Sequence, residues 1–324
     1  MPALQCSSDW VHDRVGCLPL QALPMLLRAS GSLYERLYLI SLGASCRYAI
    51  IADDGSITIS DPGSSAHVAA LEERFSRLKL SFSKINRVII THLDADRIGG
   101  LSLLRRKLPK IHVYGTAAMQ QQLKKDVFVK SLWQEDVALS KRFGALAPKE
   151  PATLGEASQA LKIDKPLVET DSLQIDEDIA IRSITTPGHR AHSVSYVVVP
   201  HEFAIVDETF GYYHGRTLSA PGGDHSLLNA VTSIKKFNHL QLSGIGFSYT
   251  GAITGGLVKR HLDSVVQNTT DLIAESKRAM ANGFSPDEVH QQIKAWFYTT
   301  TLKDPCLIGS LERTFKAVIG QLRP

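Results

Sequence analysis

The chain has 324 residues, of which 44% are hydrophobic and 21% are charged, so it is long enough to bury a large core as one elaborated domain. A net charge of +4 is mild for this length, and the basic clusters fall on helix-like stretches, which argues against nucleic acid as a partner. No apolar run is long enough to span a membrane, the first residues lack the order of a signal peptide, and the four cysteines are scattered, so we expect a cytoplasmic protein with reduced cysteines.

The first half of the chain alternates apolar runs with helix-like stretches. Helices are expected to begin near Ser65 and Gly99. A Ser-Asp-Pro-Gly turn, with Asp61 as its carboxylate, follows one of the apolar runs. The predicted strands are Leu37 to Ser41, Tyr48 to Ala52, Ser56 to Ser60, Arg87 to Thr91 and Ile111 to Tyr114.

The stretch from Val88 to Gly100 has the strongest chemical signal in the chain. It begins as a buried strand, and His92, Asp94 and Asp96 follow at alternating positions before a Gly-Gly pair that permits a tight turn into a helix. Three potential ligands at a period of two, just past the end of a strand, can converge on one ion. The sequence therefore predicts a metal-binding loop here.

A long polar segment, about Thr116 to Ala160, separates the two halves of the chain. It is rich in Gln and Lys, and the aromatic residues Phe128, Trp133 and Phe143 can anchor it to the rest of the protein. We predict a helical insertion at this place.

The second half supplies further polar positions at the ends of apolar strands. His189 ends a Thr-Thr-Pro-Gly-His element, Asp207 ends an Ala-Ile-Val run, and Tyr249 and Thr250 follow the last strand. The predicted strands are Ile179 to Ile184, Ser193 to Val199, Phe203 to Val206 and Gly244 to Phe247.

After Gly256 the pattern becomes strongly helical. Ser285 is a good N-cap, with Pro286 at the first helical position and Glu288 completing a capping box. We predict one domain over residues 1–256 and a helical extension, packed on it, over residues 257–324. Its helices are expected at Leu257 to Asn282, Pro286 to Tyr298 and Ile308 to Gln321.

The metal loop resembles the metallo-β-lactamase superfamily, whose signature is Thr-His-x-His-x-Asp-His-x-Gly-Gly. His92 and Asp96 match this signature, Asp94 stands at its second His, and Arg97 stands at its last His. The resemblance extends in order and spacing over roughly residues 36 to 255, which a chance match to one motif would not do. It implies an α/β fold, namely the family's αββα sandwich, here with a helical insertion and C-terminal helices.

The resemblance also implies roles for the later positions. His189 would supply the next metal ligand, and Asp207 stands where the family has an Asp that bridges two metals. Asp61 would support the metal loop from below. The last His ligand of the family is replaced by Tyr249 or Thr250, and Tyr249 is favoured because Thr-Gly follows the His in some relatives.

A carboxylate at the second ligand position is typical of the flavodiiron proteins and their flavin-free oxygen-binding diiron relatives. Asp94 therefore favours the iron branch, whereas Arg97 argues against an ordinary two-metal site because a guanidinium cannot ligate a cation. No flavodoxin-like segment follows, so no flavin is expected. In that branch a helical segment covers the metal, which makes the insertion a candidate lid; the alternative is a surface excursion packed on the sandwich.

Sorted by the two metal sites of the family, one site is complete and the other is not. The first would contain His92, Asp94, His189 and Asp207, and the second would keep only Asp96 and Asp207. Such a set suits one divalent ion, with iron favoured and zinc or manganese as alternatives.

The charges suggest why an arginine stands at a ligand position. Asp94, Asp96 and Asp207 bring three negative charges, and one divalent ion plus Arg97 brings three positive charges. We therefore hypothesise that the Arg97 guanidinium takes the place of the second metal, forked onto Asp96 or Asp207.

Three functions are compatible with this site. The first is a metal-dependent hydrolase in which Arg97 binds the developing anion of a small-molecule substrate and Tyr249 donates a hydrogen bond or proton. The second is an iron protein that binds O₂ and takes electrons from an external donor. The third is a metal-free pseudoenzyme used as a binding module. Homodimerisation is expected from the resemblance.

Overall fold

Two β-sheets packed face to face form the centre of the molecule. The computed structural model describes residues 24–144, 153–169, 172–213, 219–220 and 222–297, together with Arg313, Lys316 and Gly320. Within these residues the strands form two seven-stranded sheets and one two-stranded ribbon, and helices pack against both sheets. The predicted mixed α/β sandwich is confirmed.

Each sheet is built from one half of the chain, apart from the first strand. The strands are β1 (Leu26–Leu27), β2 (Gly31–Tyr34), β3 (Leu37–Leu42), β4 (Ser45–Ile51), β5 (Ile57–Ser60), β6 (Ile85–Ile89), β7 (His112–Thr116), β8 (Lys165–Leu167), β9 (Ser172–Gln174), β10 (Ala180–Thr185), β11 (Val194–Val199), β12 (Phe203–Val206), β13 (Tyr212–Tyr213), β14 (Ser219–Ala220), β15 (Gly244–Phe247) and β16 (Ala252–Thr254). The first sheet has the order β2-β3-β4-β5-β6-β7-β8, and the second has the order β1-β16-β15-β12-β11-β10-β9. Neighbours from β5 to β8 run parallel, as do β12 and β15.

The helices lie between and after these strands. They are α1 (Ser65–Arg77), α2 (Ala95–Ile98), α3 (Leu101–Lys107), α4 (Ala117–Gln122), α5 (Asp126–Arg142), α6 (Leu154–Ala160), α7 (Leu227–Lys235), α8 (Gly256–Ala281) and α9 (Pro286–Phe297), with 3₁₀ turns at Phe82–Lys84, Glu208–Phe210 and Lys236–His239. The third predicted C-terminal helix lies outside the continuous described ranges. None of the helices that the structure describes combines the length and the apolar character that crossing a membrane requires.

Strand β4 begins three residues before the predicted start at Tyr48. Ser45, Cys46 and Arg47 pair with β3 although they break the apolar pattern. Arg47 is fully buried because it lies beneath the metal loop, where its guanidinium has polar partners. A charged residue inside a strand thus concealed the strand start from the sequence pattern.

Tyr48 joins the two sheets next to the site. Its ring lies 5.7 Å from that of Phe203 in β12, and its hydroxyl donates to the carbonyl oxygens of Phe247 at 3.0 Å and Gly251 at 2.9 Å. A Cβ at Gly246 would come within 2.3 Å of the Tyr48 ring, so β15 needs a glycine at this point. These contacts hold the turn after β15 against the first sheet.

The predicted insertion forms α4, α5 and α6, and α5 packs on the outside of α1 and α2. The buried carboxylate of Asp136 accepts from the Ser65 backbone nitrogen at 2.8 Å and from the Ser65 hydroxyl at 2.6 Å. Gly99 lies so close that a Cβ there would be 2.6 Å from Asp136. The described part of the insertion is thus packed on α1 and α2, and its role as a lid stays a prediction.

Candidate metal site

The site lies at the edge of the sandwich where the ends of β6, β10, β12 and β15 come together. Asp61 organises the loop after β6 from below, because its carboxylate accepts from the Thr91 backbone nitrogen at 2.8 Å and from the Thr91 hydroxyl at 2.7 Å. Thr91 in turn lies 3.1 Å from Nδ1 of His92. This network fixes the His92 ring so that Nε2 faces the site.

Two imidazoles supply the nitrogen atoms of the site. His92 and His189 are buried, and their rings meet edge to face with centroids 4.8 Å apart. The turn that carries His189 is held by a hydrogen bond from its backbone nitrogen to the Thr209 hydroxyl at 2.9 Å. Nδ1 of His189 lies 3.6 Å from the Asp224 carboxylate, which also contacts Arg313 from the C-terminal part of the chain at 3.2 Å.

Two carboxylate oxygens face these nitrogens. Oδ2 of Asp94 lies 3.2 Å from Nε2 of His189 and 3.7 Å from Nε2 of His92. Oε2 of Glu208 lies 3.6 Å from Nε2 of His92 and 3.9 Å from Nε2 of His189. Ligands of a tetrahedral ion with bonds of 2.0–2.1 Å stand about 3.4 Å apart, so each of these four nitrogen–oxygen distances is close to the spacing of two ligands on one ion.

The residues fit a metal ion for a second reason. Nε2 of His92 and Oε2 of Glu208 are buried and have no hydrogen-bond partner among the described residues. Buried polar atoms are normally paired, because an unpaired one costs about 1–3 kcal/mol. Two overlapping sets of side chains, His92-Asp94-His189 and His92-Asp207-Glu208, each offer ligand atoms that all lie within 4.8 Å of one another. The arrangement therefore supplies potential ligands for a cation.

Asp207 lies next to these ligand atoms, but it faces the side of the His92 ring that carries Nδ1. Its Oδ1 accepts from the Thr209 backbone nitrogen at 3.1 Å, and its Oδ2 lies 3.8 Å from Nδ1 of His92. Burial raises the pKa of Asp207 above its ordinary value. The structure thus brings Asp207 to the site without directing it at the Nε2 atoms.

The other half of the site is filled by Arg97. Its Nη2 donates to Oε1 of Glu208 at 2.6 Å and lies 3.4 Å from Oδ2 of Asp96, and its guanidinium carbon stands 4.5 Å from the centre of the Tyr249 ring. The Tyr249 hydroxyl donates to Asp96. Burial alone would raise the pKa of Asp96, but Arg97 lowers it to about 2. The sequence predicts a fork of Arg97 onto Asp96 or Asp207; in the structure a single nitrogen, Nη2, lies beside Asp96 and makes the shorter contact with Glu208.

Of the two candidates for the last His position, Tyr249 is the one that contacts the metal loop. The structure places its ring on the Arg97 guanidinium and its hydroxyl on Asp96. Thr250 has a φ of +70°, and its buried hydroxyl has no hydrogen-bond partner among the described residues.

A second buried arginine supports the backbone of the loop. Arg47 donates from Nη2 to the Asp96 carbonyl oxygen at 3.0 Å and from Nη1 to the Ser45 hydroxyl at 2.8 Å. Burial lowers the pKa of Arg47 to about 10, which leaves it charged at neutral pH. A Cβ at Gly63, whose φ is +90°, would lie 2.6 Å from Arg47, so the turn after β5 is close enough to enclose the guanidinium only because it has a glycine there.

Two residues of the site escaped the sequence analysis. Arg190 forks onto Asp94 with distances of 2.7 Å and 2.8 Å, and Glu208 joins both halves of the site. Their only signal in the sequence is adjacency, since each directly follows a predicted ligand, His189 or Asp207.

The charged side chains of the site have a net charge that one divalent cation would neutralise. Asp94, Asp96, Asp207 and Glu208 bring four negative charges against the two guanidinium groups of Arg97 and Arg190. The two charges left over can be neutralised by a divalent ion or by protonation of both imidazoles. Burial opposes a charge on His92 and His189, yet the neighbouring carboxylates raise both pKa values.

The comparisons with known proteins agree with this architecture. The sequence pattern of the metallo-beta-lactamase superfamily matches residues 44–206, and the chain belongs to this superfamily. No curated protein matches the sequence at a significant level.

Several solved structures share the fold. A metallo-beta-lactamase family protein from Thermus thermophilus is 15% identical and has a TM-score of 0.60, with 89% of this chain and 92% of that chain covered. An archaeal superfamily protein from Sulfolobus tokodaii is 16% identical, with a TM-score of 0.56 and coverage of 89% and 98%. A metallo-beta-lactamase mutant from Cronobacter sakazakii, described by a HARLDQ motif, is 13% identical, with a TM-score of 0.56 and coverage of 79% and 99%. At these identities the likeness shows the fold alone.

Proposed function

We propose that this protein is a mononuclear metal-dependent hydrolase. One divalent ion would be held around His92, Asp94 and His189, and the Arg97 guanidinium would stand where the family has a second metal. The observation that supports this is a contrast within one site: Nε2 of His92 is buried and has no hydrogen-bond partner in the described part of the chain, whereas Arg97 lies against the adjacent carboxylates. A divalent ion bound there would polarise a carbonyl or phosphoryl oxygen of the substrate.

The chain's own residues would divide the remaining work. Arg97 has no exposed surface, so its role is to position Asp96 and Glu208 and to balance their charge. Arg190 has 33% of its side chain exposed beside Asp94, so it is the guanidinium that a substrate anion can reach. Tyr249 holds Asp96 through its hydroxyl. A small ester, thioester or phosphoester that develops negative charge next to Arg190 is the substrate class that fits best.

A second function is supported by the ligand types. Two imidazoles and one carboxylate form the facial set that suits non-haem Fe(II), and Asp94 is the carboxylate of that set. On this alternative the protein would bind O₂ or a related small molecule and receive electrons from an external donor. The flavodiiron-like branch, the choice of iron over zinc or manganese, the homodimer and the cytoplasmic location all stay predictions.

The test measures metal content and reactivity on the same samples. Protein purified without added metal is analysed for iron, zinc and manganese by mass spectrometry, then assayed on a panel of esters, thioesters and phosphoesters and scanned for a visible band that changes on aeration. We expect about one metal per chain. His92→Ala should lose the metal and at least about 100-fold of the activity. His112→Ala, an exposed histidine of β7, is the matched control.

The outcomes separate the alternatives. Hydrolysis that follows metal content supports the hydrolase, and an iron-dependent band that responds to O₂ without hydrolysis supports the iron protein. Wild-type protein that binds no metal even after soaking would leave the metal-free binding module as the function.

A further inference from the structure

Two adjacent carboxylates, Asp207 and Glu208, directly follow strand β12, and either could be the carboxylate that completes the metal site. Both are buried. Asp207 starts the 3₁₀ turn that follows, because its Oδ1 accepts from the Thr209 backbone nitrogen at 3.1 Å. Its other oxygen approaches Nδ1 of His92 at 3.8 Å, and that nitrogen already lies 3.1 Å from the Thr91 hydroxyl. Oδ2 of Asp207, like Oε2 of Glu208, has no hydrogen-bond partner among the described residues, but the imidazole nitrogen that it approaches is Nδ1 of His92, on the side of the ring away from the Nε2 atoms.

Glu208 is directed into the space between the imidazoles. Its Oε2 stands 3.6 Å from Nε2 of His92 and 3.9 Å from Nε2 of His189, and this oxygen has no hydrogen-bond partner among the described residues. Its Oε1 accepts from Arg97 at 2.6 Å. One carboxylate thus presents one oxygen to each half of the site.

The backbone fixes Glu208 in this orientation. Its carbonyl oxygen accepts from the Gly211 backbone nitrogen at 2.9 Å. A Cβ at Gly222 would lie 1.8 Å from the same oxygen, so the loop before α7 closes on Glu208 only because residue 222 is a glycine. The main chain of Glu208 is therefore fixed by the fold, and its buried carboxylate is directed by the hydrogen bond from Arg97.

We propose that Glu208, and not Asp207, is the carboxylate that completes the metal site, and that it bridges the bound ion to the Arg97 guanidinium. This inference rests on the proposed one-metal function. In this assignment Glu208 takes the bridging role that the family gives to the aspartate at the position of Asp207. It bridges the ion to the Arg97 guanidinium, where the family has a second metal. The donor set is then His92, Asp94, His189 and Glu208, with two nitrogen and two oxygen atoms.

The experiment compares two isosteric substitutions, Glu208→Gln and Asp207→Asn, in the full chain. Zn²⁺ is titrated against a competing chelator, and Co²⁺ is added as a spectroscopic probe whose visible bands report the ligand set. The wild type should bind one ion per chain. Glu208→Gln should weaken Zn²⁺ binding at least about 100-fold and shift the Co²⁺ bands, whereas Asp207→Asn should stay within about 5-fold and keep the spectrum.

A further variant guards against loss of folding, because Glu208→Gln leaves Arg97 without its nearest counter-charge. Glu208→Gln combined with Arg97→Met and Asp96→Asn removes the guanidinium together with both of the carboxylates beside it, and this variant should remain folded by circular dichroism and still bind Zn²⁺ weakly.

Each result decides the assignment. Loss of binding in Asp207→Asn but not in Glu208→Gln, or equal losses in both, would overturn the role of Glu208 while leaving the one-metal function intact. A wild-type chain that takes up neither Zn²⁺ nor Co²⁺ would instead overturn the proposed function, and this inference with it.

Discussion

The two halves of the site treat positive charge in different ways. In one half, His92, His189 and Asp94 bring their ligand atoms together, and Nε2 of His92 is buried with no hydrogen-bond partner among the residues that the structure describes. In the other half, Arg97 occupies the space, with Asp96 and Glu208 beside its guanidinium and a tyrosine ring against it. The first half would hold a metal ion that exchanges with solvent, whereas the positive charge of the second half is the Arg97 side chain.

We infer from this difference how a two-metal fold would work with one metal. A guanidinium is planar and permanently charged, and it can pair with two carboxylates at once, but it cannot be a Lewis acid. The negative charge of the second half is thereby kept in place without a second ion. Substitutions that change one half at a time test this difference.

The largest expected effect comes from restoring the residues that the family has in the second half. The double variant Arg97→His and Tyr249→His should raise the metal content from about one to about two ions per chain, because imidazoles can ligate where a guanidinium cannot. Native mass spectrometry after saturation with Zn²⁺ measures the stoichiometry. Tyr249→His alone should stay at about one. A double variant that folds and still takes up a single ion would show that Arg97 is not what excludes the second metal.

Removing only the cation should destabilise the protein strongly. Arg97→Met leaves Asp96 and Glu208 buried without their guanidinium, which should cost about 3–5 kcal/mol of unfolding free energy. Urea unfolding measures the change. The exposed Arg106→Met is the matched control and should stay within about 0.5 kcal/mol of the wild type. A cost below about 1 kcal/mol for Arg97→Met would contradict the charge balance.

His261, a buried histidine outside the site, should make the protein less stable at low pH, which is opposite to the effect expected for His92 and His189. His261 in α8 is 2.8 Å from the Phe210 carbonyl oxygen, and burial lowers its pKa to about 4. The unfolded chain takes up a proton near pH 6.5, whereas the folded chain does not do so until about pH 4. The stability that neutral His261 confers is thus complete above pH 6.5 and is lost as the pH falls towards 4, by up to about 3 kcal/mol.

His261→Gln removes this titration. The stability difference between the wild type and this variant should therefore shrink on going from pH 7.5 to pH 4.5, as measured by urea unfolding at both values. His92 and His189 should act with the opposite sign in metal-free protein, because their pKa values are raised: their contribution is present below pH 6.5 and is lost as the pH rises through the raised values. A difference that does not change with pH would show that His261 does not titrate as described.

The smallest effect is expected at the tyrosine. Tyr249→Phe removes the hydrogen bond to the Asp96 carboxylate and should cost about 1.5–3 kcal/mol, with the metal content unchanged. Tyr38→Phe, at a partly exposed residue of β3, is the control. Loss of metal in Tyr249→Phe would place the hydroxyl in the exchangeable half and would remove the distinction drawn between the halves.

Local patterns in the sequence were enough to predict most of the sandwich. The main strands are apolar runs, and the metal loop follows one of them with ligands at every second residue. Strands β1, β8 and β9 are two or three residues long, and too short to show any period. They form because a neighbouring strand offers hydrogen bonds, which is information about tertiary structure.

The limits of prediction at the site have a different cause. The spacing in the sequence brings Asp207 and Glu208 to the same strand end, but the direction of each carboxylate depends on which backbone nitrogen captures Asp207 and on how closely the Gly222 loop approaches. Arg190 likewise reaches Asp94 because of the shape of the turn that carries His189. Neither geometry is encoded in a local pattern.

The buried position of Arg97 has a consequence for how the protein would respond to metal supply. In a centre that binds two ions weakly, the fraction of protein with both ions bound is proportional to the square of the free metal concentration. A covalently attached guanidinium cannot dissociate, so occupancy of a one-ion site follows only the first power of that concentration. A tenfold scarcity of metal then lowers the working fraction about tenfold, where a weak two-ion centre would fall about a hundredfold. We therefore expect the proposed one-metal protein to tolerate metal starvation better than a weak two-ion centre would.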